Sequence, residues 1–509
     1  MTGETRRRTN PRGPRRSGVR QAPFGQRARP YAPIRVLSDD QVEAIHLAAL
    51  DLVATQGLRV LDARARSCYA SAGATVTPDM MVRLDPDLVM DLLSHAPASF
   101  PIVARNPAFD LQVGGNACIY ASVGGPAYVM DNDRGRRDGT YEDLCDYLKL
   151  VQVVNVIHQE GGCPFEPMDR PAATRHQDIY MAQITTLDKS WQTQTLGHAR
   201  TMDGIEMAAI SRGITTEALK DSPMLVGVIN TNSPLQLDIP MAEGLIAMAS
   251  HKQVLAITPF TLAGAMAPIT LAGALVQQHA EAMAVLALTQ IVQPGAPVLY
   301  GGFTSNVDMR SGAPAFGTPE YTKAAQASGQ LARRIGIPFR SSNTTAANEV
   351  DAQASYESTM SLWGALMGGA HLLEHGAGWM HGGLTASFEK LILDAELLQM
   401  MDAYFDPIDT SPTALGLEAI REAGPGGHFF GTAQTMERYE TAFYAPLLSN
   451  WDNYPNWLDH GAVDARTRAN TIWKELLHSY EPPVLDPAVI EALDDYIARR
   501  KAEGGAPMN

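Results

Sequence analysis

Short apolar runs recur along the middle of the chain, and most of them end in glycine or asparagine. They lie at 117–123, 153–161, 190–197, 225–230, 254–260, 297–302, 337–342 and 371–376. Stretches with helical periodicity, such as 242–251 and 270–292, separate most of these runs. Strand followed by helix about eight times predicts an α/β fold with a TIM (β/α)8 barrel over 115–385, with a doubly wound open sheet as the alternative.

Two further regions flank the predicted barrel. Ser38 and Gln41 have the spacing of a capping box before an amphipathic helix, and the mixed pattern over 33–114 predicts an N-terminal α+β cap segment. The pattern over 386–509 predicts a C-terminal helical extension. This extension is rich in aromatic residues such as Phe443, Trp451 and Trp457, which favour packing on the barrel or on another subunit.

Charge is unevenly distributed over the 509 residues. The net charge is -15, which argues against wholesale nucleic-acid binding, yet residues 1–30 contain nine arginines and one acidic residue. Residues 1–32 are therefore predicted to be a disordered basic tail, and contact with an acidic partner or nucleic acid is the alternative. The paired Arg15 and Arg16 are not followed by the apolar segment that an export signal needs.

The four cysteines contain no C-x-x-C pair, which suits a reducing compartment and predicts a cytoplasmic protein. We expect no membrane span, because the most apolar stretch, 262–276, is short and contains Gly264 and Pro268. His371, His375 and His381 lack an H-E-x-x-H pattern, so no metal site is predicted.

In a TIM barrel, function resides at the carboxyl ends of the strands, so the polar residues there are the candidates for chemistry. Amides and hydroxyls outnumber carboxylates among them, which is typical of a site that orients a ligand. The candidates are Gln194, Asn230, Asn343, Thr344, Glu374 and His375. Glu374 beside His375 is either a polarised pair or a neighbour of a structural histidine.

Aromatic residues near the same strand ends could bind a quaternary ammonium group through cation–π contact. The candidates are Trp191, Tyr300, Phe303 and Phe429. Each of them could instead belong to the core or to an interface.

Several long motifs follow one another in an order that is distinctive. They are Tyr300-Gly301-Gly302, Asp308-Met309-Arg310-Ser311-Gly312-Ala313-Pro314, Gly317-Thr318-Pro319-Glu320, Asp351-Ala352-Gln353-Ala354 and Gly424-Pro425-Gly426-Gly427-His428-Phe429. In these motifs the chain resembles the trimethylamine methyltransferase family, in the branch without pyrrolysine, over roughly residues 33–500.

The resemblance implies a TIM-barrel methyltransferase that passes a methyl group to the cobalt of a corrinoid on a separate protein, with no bound metal of its own. It also implies a homo-oligomer, with a trimer or hexamer preferred. The trimethylamine enzymes of the family carry pyrrolysine in the loop after the seventh strand. Here that region, 341–349, contains neither pyrrolysine nor lysine.

This departure favours a substrate whose leaving group needs no special activation. A quaternary ammonium leaves as a neutral tertiary amine when Co(I) attacks a methyl carbon, so we expect glycine betaine or a related betaine. Its carboxylate would need donors, for which the candidates are Arg310, His375, Asn343 and Thr344. The alternatives are an enzyme of the same barrel family with another acceptor, such as a folate, and a non-catalytic quaternary-amine binding protein.

Overall fold

The computed structural model describes residues 18–506. Helices and short strands alternate in the N-terminal region, and Ser38 caps the first helix through the predicted capping box with Gln41. The elements of this region are α1 (Asp39–Thr55), β1 (Leu58–Val60), α2 (Ala63–Ser71), β2 (Thr75–Val76), β3 (Met81–Arg83), α3 (Pro86–Ser94), β4 (Phe100–Ile102) and β5 (Leu111–Val113).

The central region alternates strands and helices. Its elements are β6 (Ile119–Ser122), β7 (Tyr128–Asp131), β8 (Gly135–Asp138), α4 (Tyr141–Val153), α5 (Arg175–Thr186), α6 (His198–Ser211), α7 (Thr216–Leu219), β9 (Val226–Ile229), β10 (Gln236–Leu237), α8 (Ile239–Ser250), β11 (Val254–Ile257), β12 (Phe260–Ala263), α9 (Leu271–Val292), β13 (Val298–Gly301), β14 (Phe303–Val307), β15 (Pro314–Ala315), α10 (Pro319–Arg334), β16 (Phe339–Ser342), α11 (Ala352–Gly368), β17 (Leu372–Ala377), β18 (Trp379–Met380) and β19 (Thr385–Ser387).

A six-stranded parallel sheet in the order β6–β17–β16–β13–β11–β9 forms the centre of the molecule. The predicted α/β class is thereby confirmed. Single parallel bridges continue the pairing beyond both edges of the sheet. They join Ala121 to Gln159, Gln159 to Ser190, and Gln192 to Val226.

The predicted strands at 153–161 and 190–197 are wrong in extent. Val153 ends α4, and only Gln159, Ser190 and Gln192 of these two segments form parallel bridges. The side chains of the three bridged residues bond to one another inside the protein, with 3.0 Å from Gln159 Nε2 to Ser190 Oγ and 3.3 Å from Gln192 Nε2 to Gln159 Oε1. Polar segments of this kind do not show the apolar alternation of a regular strand.

An apolar cluster fills the inner face of the sheet at the amino ends of the strands, and we call it the plug. The β4–β5 hairpin closes it, and the ring of Phe24 packs against it. The plug consists of Phe100, Ile102, Leu111, Val113, Ile119, Ala121, Val226, Val254, Ala256, Leu299 and Leu372.

Residues 18–32 are ordered against this end of the protein, so the predicted disordered tail over 1–32 is wrong for them. Ala28 forms an antiparallel bridge with Ala117. Arg29 is 3% exposed, and its guanidinium donates to the carbonyl of Ala370 and to Cys118 Sγ. The tail prediction failed here because it was based on composition. Composition counts the arginines of a segment but does not show whether one of them is buried against partners in the fold. Residues 1–17 lie outside the described part of the chain.

The last part of the described chain is helical and irregular. Its helices are α12 (Phe388–Phe405), α13 (Leu417–Ala423), α14 (Ala433–Arg438), α15 (Tyr454–Asp459), α16 (Ala465–His478) and α17 (Pro487–Ala502). Within residues 18–506, one helix, α9, has the length and hydropathy of a membrane span, and 78% of that window is buried inside the protein.

Candidate active site

A cavity of about 610 Å³ opens at the carboxyl ends of the central strands. Its lining runs from the buried side chains of Arg340 and Glu374 to the exposed residues Gly125, Leu196 and Asn232 at its rim. Of the candidates predicted from the sequence, the cavity brings together Gln194, Asn230, Phe303, Glu374 and His375.

The side-chain amide of Gln192 holds the carboxylate of Glu374 at the inner end of the cavity. The Nε2 atom of Gln192 lies 3.1 and 2.9 Å from the two carboxylate oxygens of Glu374. Burial raises the pKa of Glu374 to about 6, and the positive charge of Arg340 opposes that shift. The carboxylate is therefore mainly ionised at neutral pH and gives this end of the cavity a negative charge.

Glu160 lies behind the cavity wall and has a second raised pKa. Its oxygens accept hydrogen bonds from Cys163 N at 2.6 Å, Gln183 Nε2 at 2.7 Å and Gln192 N at 3.2 Å. Burial raises its pKa to about 7, against these bonds. Glu160 thus fixes the backbone around residues 160–163 and 192, which supplies part of the lining.

A bulge turns two consecutive residues of β17 toward the same cavity. In a regular strand, neighbouring side chains point to opposite faces. The pairing of β17 with β6 shifts register between Leu373 and Ala377, and His375 within that interval has a φ of 55°. Bulges redirect side chains in this way near active sites, which explains why Glu374 and His375 both line the cavity.

Aromatic faces form one wall. The rings of Phe260 and Phe303 are 5.1 Å apart between centroids, and Trp379 lies 6.2 Å from Phe303 and 4.2 Å from the ring of His375. Burial lowers the pKa of His375 well below its usual value, so this ring is neutral. Phe260 and Phe303 line the cavity, and neutral aromatic rings in such a position suit a cationic ligand.

Arg340 is a cavity residue that the sequence analysis did not single out. It is 2% exposed, and its guanidinium carbon lies 5.7 Å from the centroid of Phe303. Its Nε and Nη1 atoms have no hydrogen-bond partner among the described residues. The available signal was a charged residue inside a predicted strand, directly after the apolar residues 337–339, because lone arginines are rarely fully buried.

Glycines allow the backbone segments of the wall to approach closely. A Cβ atom on Gly161 would lie 2.0 Å from the carbonyl oxygen of Ser122 and 3.0 Å from Glu374 Oε1. Only glycine fits there without displacement of the backbone.

Six predicted site residues do not line the cavity. Strand alternation directs Tyr300 and Trp191 outward, where Tyr300 Oη bonds with Gln278 and His279 of α9, and Trp191 packs on Tyr180. The others are Asn343, which donates to the carbonyl of Gly376, Thr344, which bonds with Ser361, and the exposed Arg310 and Phe429. Their positions near strand ends could be predicted from the sequence, but the directions of their side chains could not.

Residues 4–505 match the family described as trimethylamine methyltransferase (MTTB). The chain belongs to this family. It is 34% identical to the glycine betaine methyltransferase of Desulfitobacterium hafniense (strain Y51), over 92% of this chain and 98% of that protein. It is 25% identical to the trimethylamine methyltransferase MttB2 of Methanosarcina mazei, over 92% and 97%.

The crystal structure of the monomethylamine methyltransferase of Methanosarcina barkeri is 11% identical, covers 92% of this chain and 95% of that one, and has a TM-score of 0.44. Within residues 18–506 of the present chain, no group of three or more His, Cys, Asp or Glu side chains is arranged to hold a metal ion.

In this member of the trimethylamine methyltransferase family, the loop after β16 is held in place by one carboxylate of α11. Glu357 Oε2 accepts hydrogen bonds from the hydroxyl of Thr345 and from the backbone of Ala346 and Ala347, at 2.9 and 3.1 Å. This loop corresponds to the region in which other family members are expected to carry pyrrolysine. Hydrogen bonds from its backbone to Glu357 hold it in place.

Proposed function

We propose that this methyltransferase transfers a methyl group from a quaternary amine, glycine betaine or a related betaine, to the Co(I) of a corrinoid on a separate protein. The observation that carries the proposal is the cavity itself. It combines the aromatic faces of Phe260 and Phe303 with the carboxylate of Glu374, in a chain that is 34% identical to a glycine betaine methyltransferase. The 25% identity to trimethylamine methyltransferases supports the same reaction class.

The chain's own residues would bind and orient the substrate. Aromatic faces attract the ammonium, and Glu374 adds a negative charge at the inner end of the cavity. The amides of Gln192 and Gln194 are already engaged with Glu374 and Glu166, so they keep those carboxylates in place.

The reaction needs no proton from the protein. When bound at the rim, the corrinoid would supply the nucleophilic cobalt, and the amine departs as a neutral molecule with the electron pair of the broken C–N bond. This agrees with a cavity in which the histidine of the lining, His375, is half-buried and neutral.

We further propose that the parallel sheet and the bridged segments close into one ring of eight, the TIM (β/α)8 barrel. The bridges of Gln159, Ser190 and Gln192 connect β6 with β9, the two edge strands of the six-stranded sheet, which supports a closed ring. The cavity would then lie at the mouth of the barrel, where active sites of this fold are found.

We also propose that the protein associates with itself into a trimer or hexamer. The irregular C-terminal segment exposes several large apolar side chains, and exposed patches of this kind mark protein interfaces. They include Ile408, Phe430, Phe443, Trp451 and Tyr454. Light scattering at micromolar concentration tests this prediction, and a monomer would contradict it.

The reaction is tested with purified protein, glycine betaine and cob(I)alamin, by following the conversion of Co(I) to methyl-Co(III) spectroscopically. We expect transfer with glycine betaine, and a loss of roughly 10- to 30-fold in its affinity in Phe303→Ala, because a desolvated cation–π contact contributes about 2 kcal/mol. Phe429→Ala is the matched control, since that ring is 48% exposed and outside the cavity.

The same experiment separates the alternatives. Methyl transfer to tetrahydrofolate, without transfer to cobalt, would replace the corrinoid acceptor in the proposal. Betaine binding without transfer to either acceptor would identify a quaternary-amine binding protein.

A further inference from the structure

A buried guanidinium with two nitrogens that lack hydrogen bonds in the described part of the chain points to an anionic ligand. Arg340 lines the cavity and is 2% exposed, yet within residues 18–506 its Nε and Nη1 atoms donate to no group. Leaving charged donors buried and unpaired is unfavourable, so such groups are normally bonded to a counter-ion or a ligand.

The two carboxylates that line the cavity, Glu374 and Glu166, form hydrogen bonds or ion pairs with residues other than Arg340. Both oxygens of Glu374 accept from Gln192. Glu166 pairs with Arg175 at 3.2 Å and accepts from Gln194 at 3.0 Å. Neither of these carboxylates supplies the missing hydrogen-bond acceptor for Arg340.

We infer that Arg340 binds the carboxylate of the substrate, so that the site selects zwitterionic betaines over quaternary amines that lack a carboxylate. The inference rests on the proposed function and assigns to Arg340 the role that the sequence analysis gave to Arg310 and other residues. Arg310 lies outside the cavity lining and is exposed.

The cavity presents a positive group and aromatic rings at separate positions, as the two ends of a betaine require. The guanidinium of Arg340 lies 5.7 Å from the ring of Phe303, and Phe260 lies 5.1 Å from the same ring. An ammonium is repelled by the guanidinium and attracted by the ring of Phe260, which is half-buried, so it would lie toward Phe260. The carboxylate, about one methylene away in glycine betaine, would then lie toward Arg340 and accept charge-assisted hydrogen bonds.

The test compares two ligands that differ in the anionic group, glycine betaine and choline, by calorimetry on wild-type protein and Arg340→Gln. We expect wild-type protein to bind glycine betaine more tightly than choline. Arg340→Gln should lose roughly 30-fold or more in betaine affinity while its choline affinity changes by less than about threefold. Arg310→Gln is the matched control and should preserve both affinities.

A second variant covers the case in which Arg340→Gln does not fold. Arg340→Lys keeps the positive charge with fewer donors, and it should reduce the preference for betaine over choline without abolishing it. An equal loss of both ligands in the folded variants, or an unchanged preference, would overturn the inference. If wild-type protein binds neither ligand, the proposed function itself fails, which is a separate result.

Discussion

The two ends of the inner face of the central sheet differ in composition although the same strands build both. On β17, Leu372 belongs to the plug, and Glu374, two residues further, lines the cavity. On β11, Ala256 belongs to the plug, and Thr258 just beyond the strand lines the cavity. Side chains two residues apart share a face and lie about 7 Å apart, so the change from apolar to polar is abrupt.

The comparison shows how one sheet serves two purposes. The plug consists of apolar side chains and is closed by the β4–β5 hairpin, so it contributes hydrophobic stabilisation. The cavity end keeps buried donors such as those of Arg340 without partners, which is unfavourable for folding but prepares the site for a ligand. Variants at the two ends should therefore affect different measurements.

The largest effect is expected in the plug. Ile102→Ala removes a fully buried side chain and should lower the free energy of unfolding by about 2–5 kcal/mol, while the folded protein keeps its preference for betaine over choline. Denaturant unfolding and calorimetry measure the two properties. Ile408→Ala is the matched control, since that side chain is 89% exposed. A change in ligand preference in Ile102→Ala would show that the two ends are not independent.

Deletion of residues 1–30 should destabilise the protein from the same end. It removes the buried hydrogen bonds of Arg29, each charged bond contributing about 1.5–3 kcal/mol, and the contact of Phe24 with the plug. Thermal unfolding of this variant, compared with deletion of 1–17 alone, isolates the contribution of residues 18–30. An unchanged melting temperature would support the original prediction of a disordered tail.

At the cavity end, Gly161→Ala should disturb the wall. The added Cβ would overlap the carbonyl oxygen of Ser122, and overpacking of this kind costs about 1–3 kcal/mol. We expect weaker betaine binding together with a moderate fall in melting temperature. Gly431→Ala is the control, because a Cβ there meets no atom within 4 Å. Normal betaine affinity in Gly161→Ala would mean that the wall accommodates the methyl group.

The smallest effect concerns pH. Glu374, with a pKa of about 6, faces Arg340 and the neutral His375, and it loses its negative charge as the pH falls from 8 to 5. Choline binding should weaken over this range by about two- to fivefold, equivalent to roughly 0.5–1 kcal/mol. Betaine binding should weaken less, because its carboxylate escapes repulsion.

The preference for betaine over choline should therefore increase toward low pH. Glu160, with a pKa of about 7, titrates in the same range, so Glu374→Gln is needed to assign the effect. That variant should show a flatter choline profile. An unchanged slope would assign the pH dependence to another group.

Sequence patterns predicted the α/β class, the six strands of the central parallel sheet and five of the residues that line the cavity. They failed where direction mattered, because periodicity says which residues share a face but not which face is inward. Tyr300 points to α9, whereas Phe303, three residues later, lines the cavity. The bulge at His375 could not be foreseen either, because register shifts depend on the partner strand.

The segment 18–32 joins parts of the chain that are synthesised far apart. The backbone of Ala22 donates to Gln399, and Arg29 donates to the carbonyl of Ala370, contacts that span 377 and 341 residues. This segment therefore has no complete docking surface until most of the polypeptide has left the ribosome. Contacts of such large sequence separation also slow folding. We expect residues 18–32 to be among the last parts to reach their native position, although they are made before their partners.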